Sequence, residues 1–285
     1  MALETAFLTS GLPNHVRLST ADAMARAARD HGAEPAFVGV LAGKPVVGID
    51  PQGLERLARS GGKLSTRDLP IAVARGEDGG TTVAATLFLS HREGVSVAAT
   101  GGIGGVHPAR APMDESADLS ELARTPVTLV CSGAKAILDL PATLERLETL
   151  GVTVVGYGTD ELPAFWSVES GLRLPRRVGD AHEVAAVARE ARALGLPGAV
   201  LVFVPPPPGE ALSREESDGA VARAVEEAGA LGIAGSDLTP FLLARIAEIT
   251  EGRSLRANLA LLANNAAVAA EIAVAGAAAH ATAGA

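Results

Sequence analysis

Lysine occurs at three positions in a chain whose lysines and arginines total 24, namely Lys44, Lys63 and Lys135. Arginine therefore carries nearly all of the ordinary positive charge, and each lysine invites a chemical question. A guanidinium stays charged and cannot attack carbon, whereas a desolvated lysine amine can lose its proton and form a Schiff base with a carbonyl. Lys135 follows the apolar run Val127-Thr-Leu-Val-Cys-Ser-Gly, and open α/β sheets bind ligands at the carboxyl ends of their strands. The competing reading is a lysine snorkelling from the first turn of a helix. Lys63, in Gly61-Gly-Lys-Leu-Ser-Thr-Arg-Asp, could anchor an anion or stand in a solvated loop. Lys44, in Ala-Gly-Lys-Pro, marks a hairpin turn and is assigned no role.

Other groups add to this set. Glu4 is an acid between apolar neighbours; buried, it would hold its proton and serve as a donor, while the alternative is an exposed terminal carboxylate. Thr100-Gly-Gly-Ile-Gly-Gly-Val-His107 follows an expected strand, and its glycines would let backbone amides approach an anion or simply make a tight turn. The run lacks the lysine of a phosphate loop and the helix and acidic residue of a dinucleotide fingerprint, which also disfavours a carbohydrate kinase. His107 could touch a phosphate or sugar hydroxyl, or be a structural hydrogen-bonder. Asp114, Ser116 and Asp118 offer oxygens suited to a hard cation such as Mg2+ or Mn2+. Against this, Asp118 could cap a helix through Arg124. Asn258, Asn264 and Asn265 interrupt an apolar helical pattern, and their amides must find partners in backbone or ligand.

The elements that must hold these groups read as α/β. Strands are expected over Ala36–Leu41, Lys44–Gly48, Val95–Thr100, Val127–Cys131, Thr153–Gly156 and Gly198–Val204. Helices are expected over Ser19–His31, Thr82–Arg92, Ala134–Leu150, Ala181–Leu194, Arg214–Leu231, Pro240–Glu248 and Leu255–Ala279. Strands this continuously apolar must be covered on both faces. Aromatic residues make up only 3% of the chain, so aliphatic side chains and alanine must fill the core. One domain over residues 1–285 is expected, with a frayed tail from 276 to 285. The net charge of -9 argues against nucleic acid as a partner. A single cysteine, Cys131, excludes an internal disulfide. The start MALETAFLTS lacks the order of a signal peptide, and the apolar stretch from Ser254 to Ala279 contains Arg256, Asn258, Asn264, Asn265 and Glu271, too polar for a bilayer span. A cytoplasmic protein without membrane association is expected.

In order along nearly the whole chain, Ala-Leu-Glu4, Lys63-Leu-Ser-Thr-Arg-Asp-Leu-Pro70, Gly80-Thr-Thr-Val-Ala-Ala-Thr86, Thr100-Gly-Gly-Ile-Gly-Gly-Val-His107, Ser116-Ala-Asp-Leu119, Cys131-Ser-Gly-Ala-Lys-Ala-Ile-Leu-Asp139, Gly156-Tyr-Gly-Thr-Asp160, Thr239-Pro-Phe-Leu-Leu-Ala-Arg245 and Asn258 closely resemble the pseudouridine-5'-phosphate glycosidase family, which includes the indigoidine-cluster A proteins. The resemblance implies a three-layer α/β/α sandwich with a mixed, mostly parallel sheet, commonly assembled as a homotrimer. It implies reversible cleavage of the C–C glycosidic bond of pseudouridine 5'-phosphate to uracil and ribose 5-phosphate, with Mn2+ or a similar divalent cation. It makes Lys135 the nucleophile, Glu4 the proton donor and Asp114 the metal ligand. Lys63, Val83, Ser116, Ala117 and Asp118 become substrate contacts, Asn258 a contact to the base, and Thr100 and His107 neighbours of the sugar phosphate. The partner implied is a small C-nucleotide or sugar phosphate.

The resemblance departs around the inferred pocket. A usual histidine is replaced by Ser10, Val-His-Arg-Gly by Val106-His-Pro-Ala, and Phe-Asp-Ile-Ser by Met113-Asp-Glu-Ser. These changes leave open a synthase that joins ribose 5-phosphate to an aglycone other than uracil. From a different class, an inactive sugar-phosphate-binding protein would keep the pocket without turnover.

Overall fold

Short aliphatic runs that can be covered on both faces pair into one sheet. The computed structural model describes residues 1–108, 114–233 and 238–283. In chain order its strands are β1 (Ala2–Leu3), β2 (Ala36–Leu41), β3 (Lys44–Val47), β4 (Gly62–Leu64), β5 (Gly79–Thr81), β6 (Val97–Ala99), β7 (Thr128–Cys131), β8 (Thr153–Tyr157), β9 (Arg177–Val178) and β10 (Val200–Phe203). They stand in the order β4-β5-β2-β1-β6-β7-β10-β8-β9, with β3 paired to β2. From β2 across to β9 every pairing is parallel, while β3 and β5 run antiparallel to β2. The sheet is thus mixed and mostly parallel, as expected.

The helices are α1 (Ala6–Thr9), α2 (Asn14–Asp30), α3 (Pro51–Ser60), α4 (Leu69–Arg75), α5 (Val83–Arg92), α6 (Ala117–Leu122), α7 (Leu140–Thr149), α8 (Ala181–Ala193), α9 (Arg214–Ala230), α10 (Leu238–Ile249) and α11 (Arg253–Ala283). Their starts are written in the sequence. Asp50, Asp139, Asp180 and Ser213 each accept a hydrogen bond from the backbone N–H three residues on, and Pro51 and Pro141 occupy first-turn positions where no donor is missed. Helix α11 lies on β6 and β7 and packs against α2 and α8, whereas α5 and α6 pair, with α5 packed on β1, β2 and β6. This is the three-layer α/β/α sandwich. Alanine does much of the filling: Ala98 and Ala99 in β6 and Ala257, Ala266 and Ala269 in α11 are completely buried, which allows close approach of helix to sheet.

Several boundaries differ from expectation for identifiable reasons. The helix expected from Ala134 starts at Leu140, because Asp139 caps it and the preceding residues pair with another loop. The helix expected from Ser19 starts at Asn14, directly after Pro13. Strands β1, β4, β5 and β9 are only two or three residues long, too short for any periodicity. Helix α11 continues to Ala283, so residues 276–283 of the expected frayed tail are helical, and 284–285 lie outside the described residues.

Candidate active site

Parallel register aligns the carboxyl ends of the central strands. Leu3 of β1 stands beside Ala99 of β6, and Ala99 beside Val130 of β7. The residues that follow Leu3 and Ala99, Glu4 and Thr100, therefore leave the sheet side by side, next to Cys131 at the end of β7. Glu4 is 8% exposed, which removes the alternative of a solvated terminal acid. The Thr100 hydroxyl donates a hydrogen bond to its Oε2. Burial raises the Glu4 pKa; the positive charge of Lys135 and the Thr100 bond oppose that rise, and the charge of Asp118 adds to it. A carboxyl group whose pKa is raised by burial beside a cavity is a candidate proton donor. Cys131 supplies no competing nucleophile, since burial pushes its thiol up to about 12.

Lys135 sits not in a helix but in the segment between β7 and α7. Ser132 N donates to Gly101 O at 2.9 Å, Ile103 N to Gly133 O at 3.1 Å and Lys135 N to Ile103 O at 3.1 Å, so this segment and the glycine loop brace one another. The lysine is half-buried and opens into the same cleft as Glu4. Lys63, on β4, reaches that cleft from the antiparallel side of the sheet. Desolvation of its ammonium and the like charge of Lys135 lower its pKa, although the residue as a whole keeps solvent exposure.

The glycine loop owes its composition to close approach. A Cβ on Gly104 would lie 2.2 Å from Ser116 Oγ, and one on Gly102 would lie 2.7 Å from the ring of Phe165. Asp118, 6% exposed, binds two backbone segments: Oδ1 accepts from Ala84 N at 2.9 Å and Oδ2 from Gly104 N at 2.8 Å. The reading of Asp118 as a cap working through Arg124 is thus corrected. Ser116 caps α6 by accepting from Asp118 N, and Arg124 pairs with Glu121.

The cleft has two lobes that share Glu4, Lys63, His107, Asp114 and Lys135. The outer lobe, about 580 Å3, is polar: Ser65, Arg67, Thr82, Gly104, Ser116, Ala117 and Asp118 contribute to it. The inner lobe, about 460 Å3, is walled by Thr100, Gly101, Gly102 and Asn258 together with Phe7, Phe165, Leu243 and Leu262. Ten of the eleven site residues inferred from sequence therefore meet at one cleft. Val83 does not line it: the residue is buried, and its neighbour Thr82 faces the outer lobe.

Asp114 is exposed where the lobes join, beside His107, whose N–H donates to Asp114 O at 2.9 Å. Two other carboxylates of the outer lobe are engaged: Glu115 by Arg146 at 2.9 Å, and Asp68, whose Oδ2 accepts from Ser65 N at 2.9 Å. Among the described residues no group of three or more metal-ligating side chains exists. The donor set fits an ion such as Mg2+ or Mn2+ that keeps several waters and needs only one or two carboxylates plus substrate oxygens.

Two residues outside the inferred set shape the site. Asn265 is completely buried on α11; its Nδ2 donates to Thr100 O at 2.8 Å and Gly101 O at 3.4 Å, and its Oδ1 accepts from Ser132 Oγ at 3.2 Å. Phe165 has a φ of 64°, a left-handed conformation that costs a side-chain-bearing residue about 1–3 kcal/mol. The polar asparagine in an apolar helix was a visible signal for Asn265. Nothing local marked Phe165 beyond the scarcity of aromatic residues.

The geometry agrees with comparisons to known proteins. The family model described as "Indigoidine synthase A like protein" matches residues 1–275. A pseudouridine-5'-phosphate glycosidase of Methylobacterium nodulans is 52% identical over 96% of this chain and 82% of its own length. One from Paracoccus denitrificans is 52% identical over 96% of this chain and 92% of its own. The crystal structure of an indigoidine synthase A-like protein from Thermotoga maritima superposes with a TM-score of 0.89 at 40% identity, covering 96% of this chain and 91% of that one. That of the prealnumycin C-glycosynthase AlnA in complex with ribulose 5-phosphate gives 0.90 at 37% identity, covering 99% and 92%.

Proposed function

Because the chain belongs to the Indigoidine synthase A like protein family, we infer that it is a pseudouridine-5'-phosphate glycosidase, reversibly cleaving the C–C bond of that nucleotide to uracil and ribose 5-phosphate. One observation carries the chemistry: a buried acid whose pKa is raised by that burial and a lysine amine share the cleft between a polar and an apolar lobe.

A carbon-linked base offers no heteroatom to protonate, so the paired-carboxylate route of ordinary glycosidases does not serve. An amine does. Lys135 attacks the anomeric carbon while Glu4 gives its proton to the ring oxygen; the C–N bond forms as the ring C–O bond breaks. The nitrogen of the opened adduct gives a proton to the Glu4 carboxylate, its freed lone pair forms the iminium, and the electrons of the C–C bond pass to the base carbon, which takes that proton from Glu4. Water hydrolyses the iminium, freeing ribose 5-phosphate and the amine. The apolar walls of the inner lobe hold the base with Asn258 at its edge, and the outer lobe with Lys63, His107 and Ser116–Asp118 holds the phosphosugar. A divalent ion such as Mn2+, carried by Asp114 with its own waters, would supply electrostatic binding for substrate oxygens. The protein works in the cytoplasm as a homotrimer.

The test is incubation with pseudouridine 5'-phosphate and Mn2+, following free uracil, with borohydride trapping of the sugar and peptide mass spectrometry. Uracil release and an adduct on Lys135 are expected; an adduct that survives Lys135→Ala sinks the assignment of the nucleophile. A second reading, synthesis of a C-glycoside from ribose 5-phosphate and a different aglycone, draws on the apolar inner lobe. No uracil release, but consumption of ribose 5-phosphate with another carbon nucleophile, would favour it. An inactive binding protein would show thermal stabilisation by ribose 5-phosphate without turnover.

A further inference from the structure

Thr5 stands between the proton donor and the helix that walls the inner lobe. Glu4 precedes it, and α1, which contributes Ala6 and Phe7 to that lobe, follows. At the N-cap of a helix, a threonine hydroxyl ordinarily accepts a hydrogen bond from the first turn of that same helix. Thr5 makes no such bond. Its side chain is completely buried, and its hydroxyl instead donates to Val38 O of β2 and accepts from Thr81 N of β5 at 3.0 Å.

Thr81 completes the junction from the other side. It too is completely buried; its hydroxyl donates to the same Val38 O at 2.8 Å and lies 2.8 Å from the hydroxyl of Thr86 in α5. Thr81 ends β5, whose neighbour β4 carries Lys63 opposite Gly80, and the next residue, Thr82, faces the outer lobe. Strands β1 and β5 are not neighbours, since β2 lies between them, so Thr5 bridges elements that the sheet itself does not pair. The approach is close: a Cβ on Gly80 would lie 2.6 Å from Thr5 O. Only Ala2 and Leu3 of β1 are paired, which leaves Glu4 at the end of a very short ladder. The Thr5 hydroxyl thus ties the chain that presents the acid to the strands that present the anchoring groups of the outer lobe.

We propose that Thr5 is a positioning residue for proton transfer: its side chain lines neither lobe, and its hydroxyl fixes Glu4 against a sugar phosphate anchored in the outer lobe. The inference rests on the glycosidase reading and deepens it. Contacts in the outer lobe set where the sugar's ring oxygen lies, and Glu4 must come within hydrogen-bond reach of that atom to give up its proton. Misplacing a reacting group by about 1 Å can cost about 100-fold in rate. The phosphate contacts themselves do not pass through Thr5, so the residue serves kcat rather than KM.

The test is a double-mutant cycle read by uracil release from pseudouridine 5'-phosphate with Mn2+. Thr5→Val keeps the shape of the side chain and removes the hydroxyl; it should lower kcat about 10- to 100-fold with KM within about twofold of wild type. Thr5→Ser restores the hydroxyl and should recover kcat to within about threefold of wild type. In a Glu4→Gln background the acid is already lost, so adding Thr5→Val should cost less than about threefold further. A hydroxyl that merely stabilised the fold would act independently of Glu4, and losses that multiply in the double variant overturn the proposal. An unchanged kcat in Thr5→Val, or a Thr5→Ser enzyme as slow as Thr5→Val, overturns it as well. If Thr5→Val does not fold, Thr5→Ala removes the same hydroxyl with a smaller side chain and carries the same cycle. A wild-type enzyme that releases no uracil refutes the glycosidase reading and the proposal with it, whereas multiplied losses in an active enzyme overturn the proposal alone.

Discussion

Adding a single methyl group at Gly104 tests whether close packing of the glycine loop builds the outer lobe. Its φ is not left-handed, so alanine meets no backbone penalty there, and the whole effect comes from contact. The new Cβ would lie 2.2 Å from Ser116 Oγ, 2.5 Å from Ser116 Cβ and 2.9 Å from Asp118 Oδ2. Ser116 cannot simply retreat, because its N–H donates to Gly105 O at 3.0 Å and its hydroxyl caps α6. Overpacking costs about 1–3 kcal/mol and a lost cap about 1 kcal/mol. For a chain of this size, Gly104→Ala should lower Tm by roughly 3–7 °C. Asp118 would be driven off Gly104 N, and disturbing one hydrogen bond to a charged group, worth about 1.5–3 kcal/mol, predicts a kcat/KM about 10- to 150-fold lower. Differential scanning fluorimetry and the uracil-release assay read the two effects separately. Gly219→Ala makes the same chemical change in α9 with nothing within 4 Å, and should stabilise by about 0.5–1 kcal/mol with activity unchanged. Wild-type kcat/KM and Tm in Gly104→Ala would refute the packing argument; a lower Tm with unaltered kcat/KM would refute the assignment of the outer lobe to substrate.

Burial raises the pKa of Glu4 in the folded protein, so folding favours its protonated form. That stability is fully present below the ordinary value of 4.5 and is lost as pH rises through the raised folded value. Glu4→Gln should therefore unfold at higher denaturant than wild type in mildly alkaline buffer, with the gap closing towards the ordinary value, while cleavage falls by about 10^2- to 10^4-fold as expected on loss of a general acid; a variant less stable than wild type at alkaline pH would contradict the burial argument. Asp114→Asn should leave the fold intact, because the side chain is exposed, and should raise the Mn2+ concentration needed for half-maximal activity at least tenfold. An identical metal titration would remove Asp114 from the metal site.

The long strands and amphipathic helices were legible because burial on both faces, caps and first-turn prolines are local properties. The site was legible in its residue types. Scarcity made Lys135 visible, and apolar flanks made Glu4 visible. What one-dimensional pattern could not carry was pairing: β1 has two residues and gains its identity only between β2 and β6. Asp118 offered two local readings, capping and metal binding, and its actual partners, Ala84 N and Gly104 N, are 34 and 14 residues away. The helix expected across Lys135 shows the same limit, since Ala134–Asp139 is helical in composition but is held in a loop by Ile103 and Val106.

Asn265 gives the order of assembly a consequence. Its bond to Thr100 O spans 165 residues, and its bond from Ser132 spans 133. Contacts this distant in sequence form late, since a large loop must close before they contribute. A nascent or stalled chain that still lacks α11 already contains Glu4, Thr100 and Lys135, and β6 and β7 can pair, yet the amide that ties Thr100, Gly101 and Ser132 together is missing. The polar ties around the reactive amine are thus completed only when α11 docks, and a chain that stops short of it carries Glu4 and Lys135 without the Asn265 amide that joins their loops.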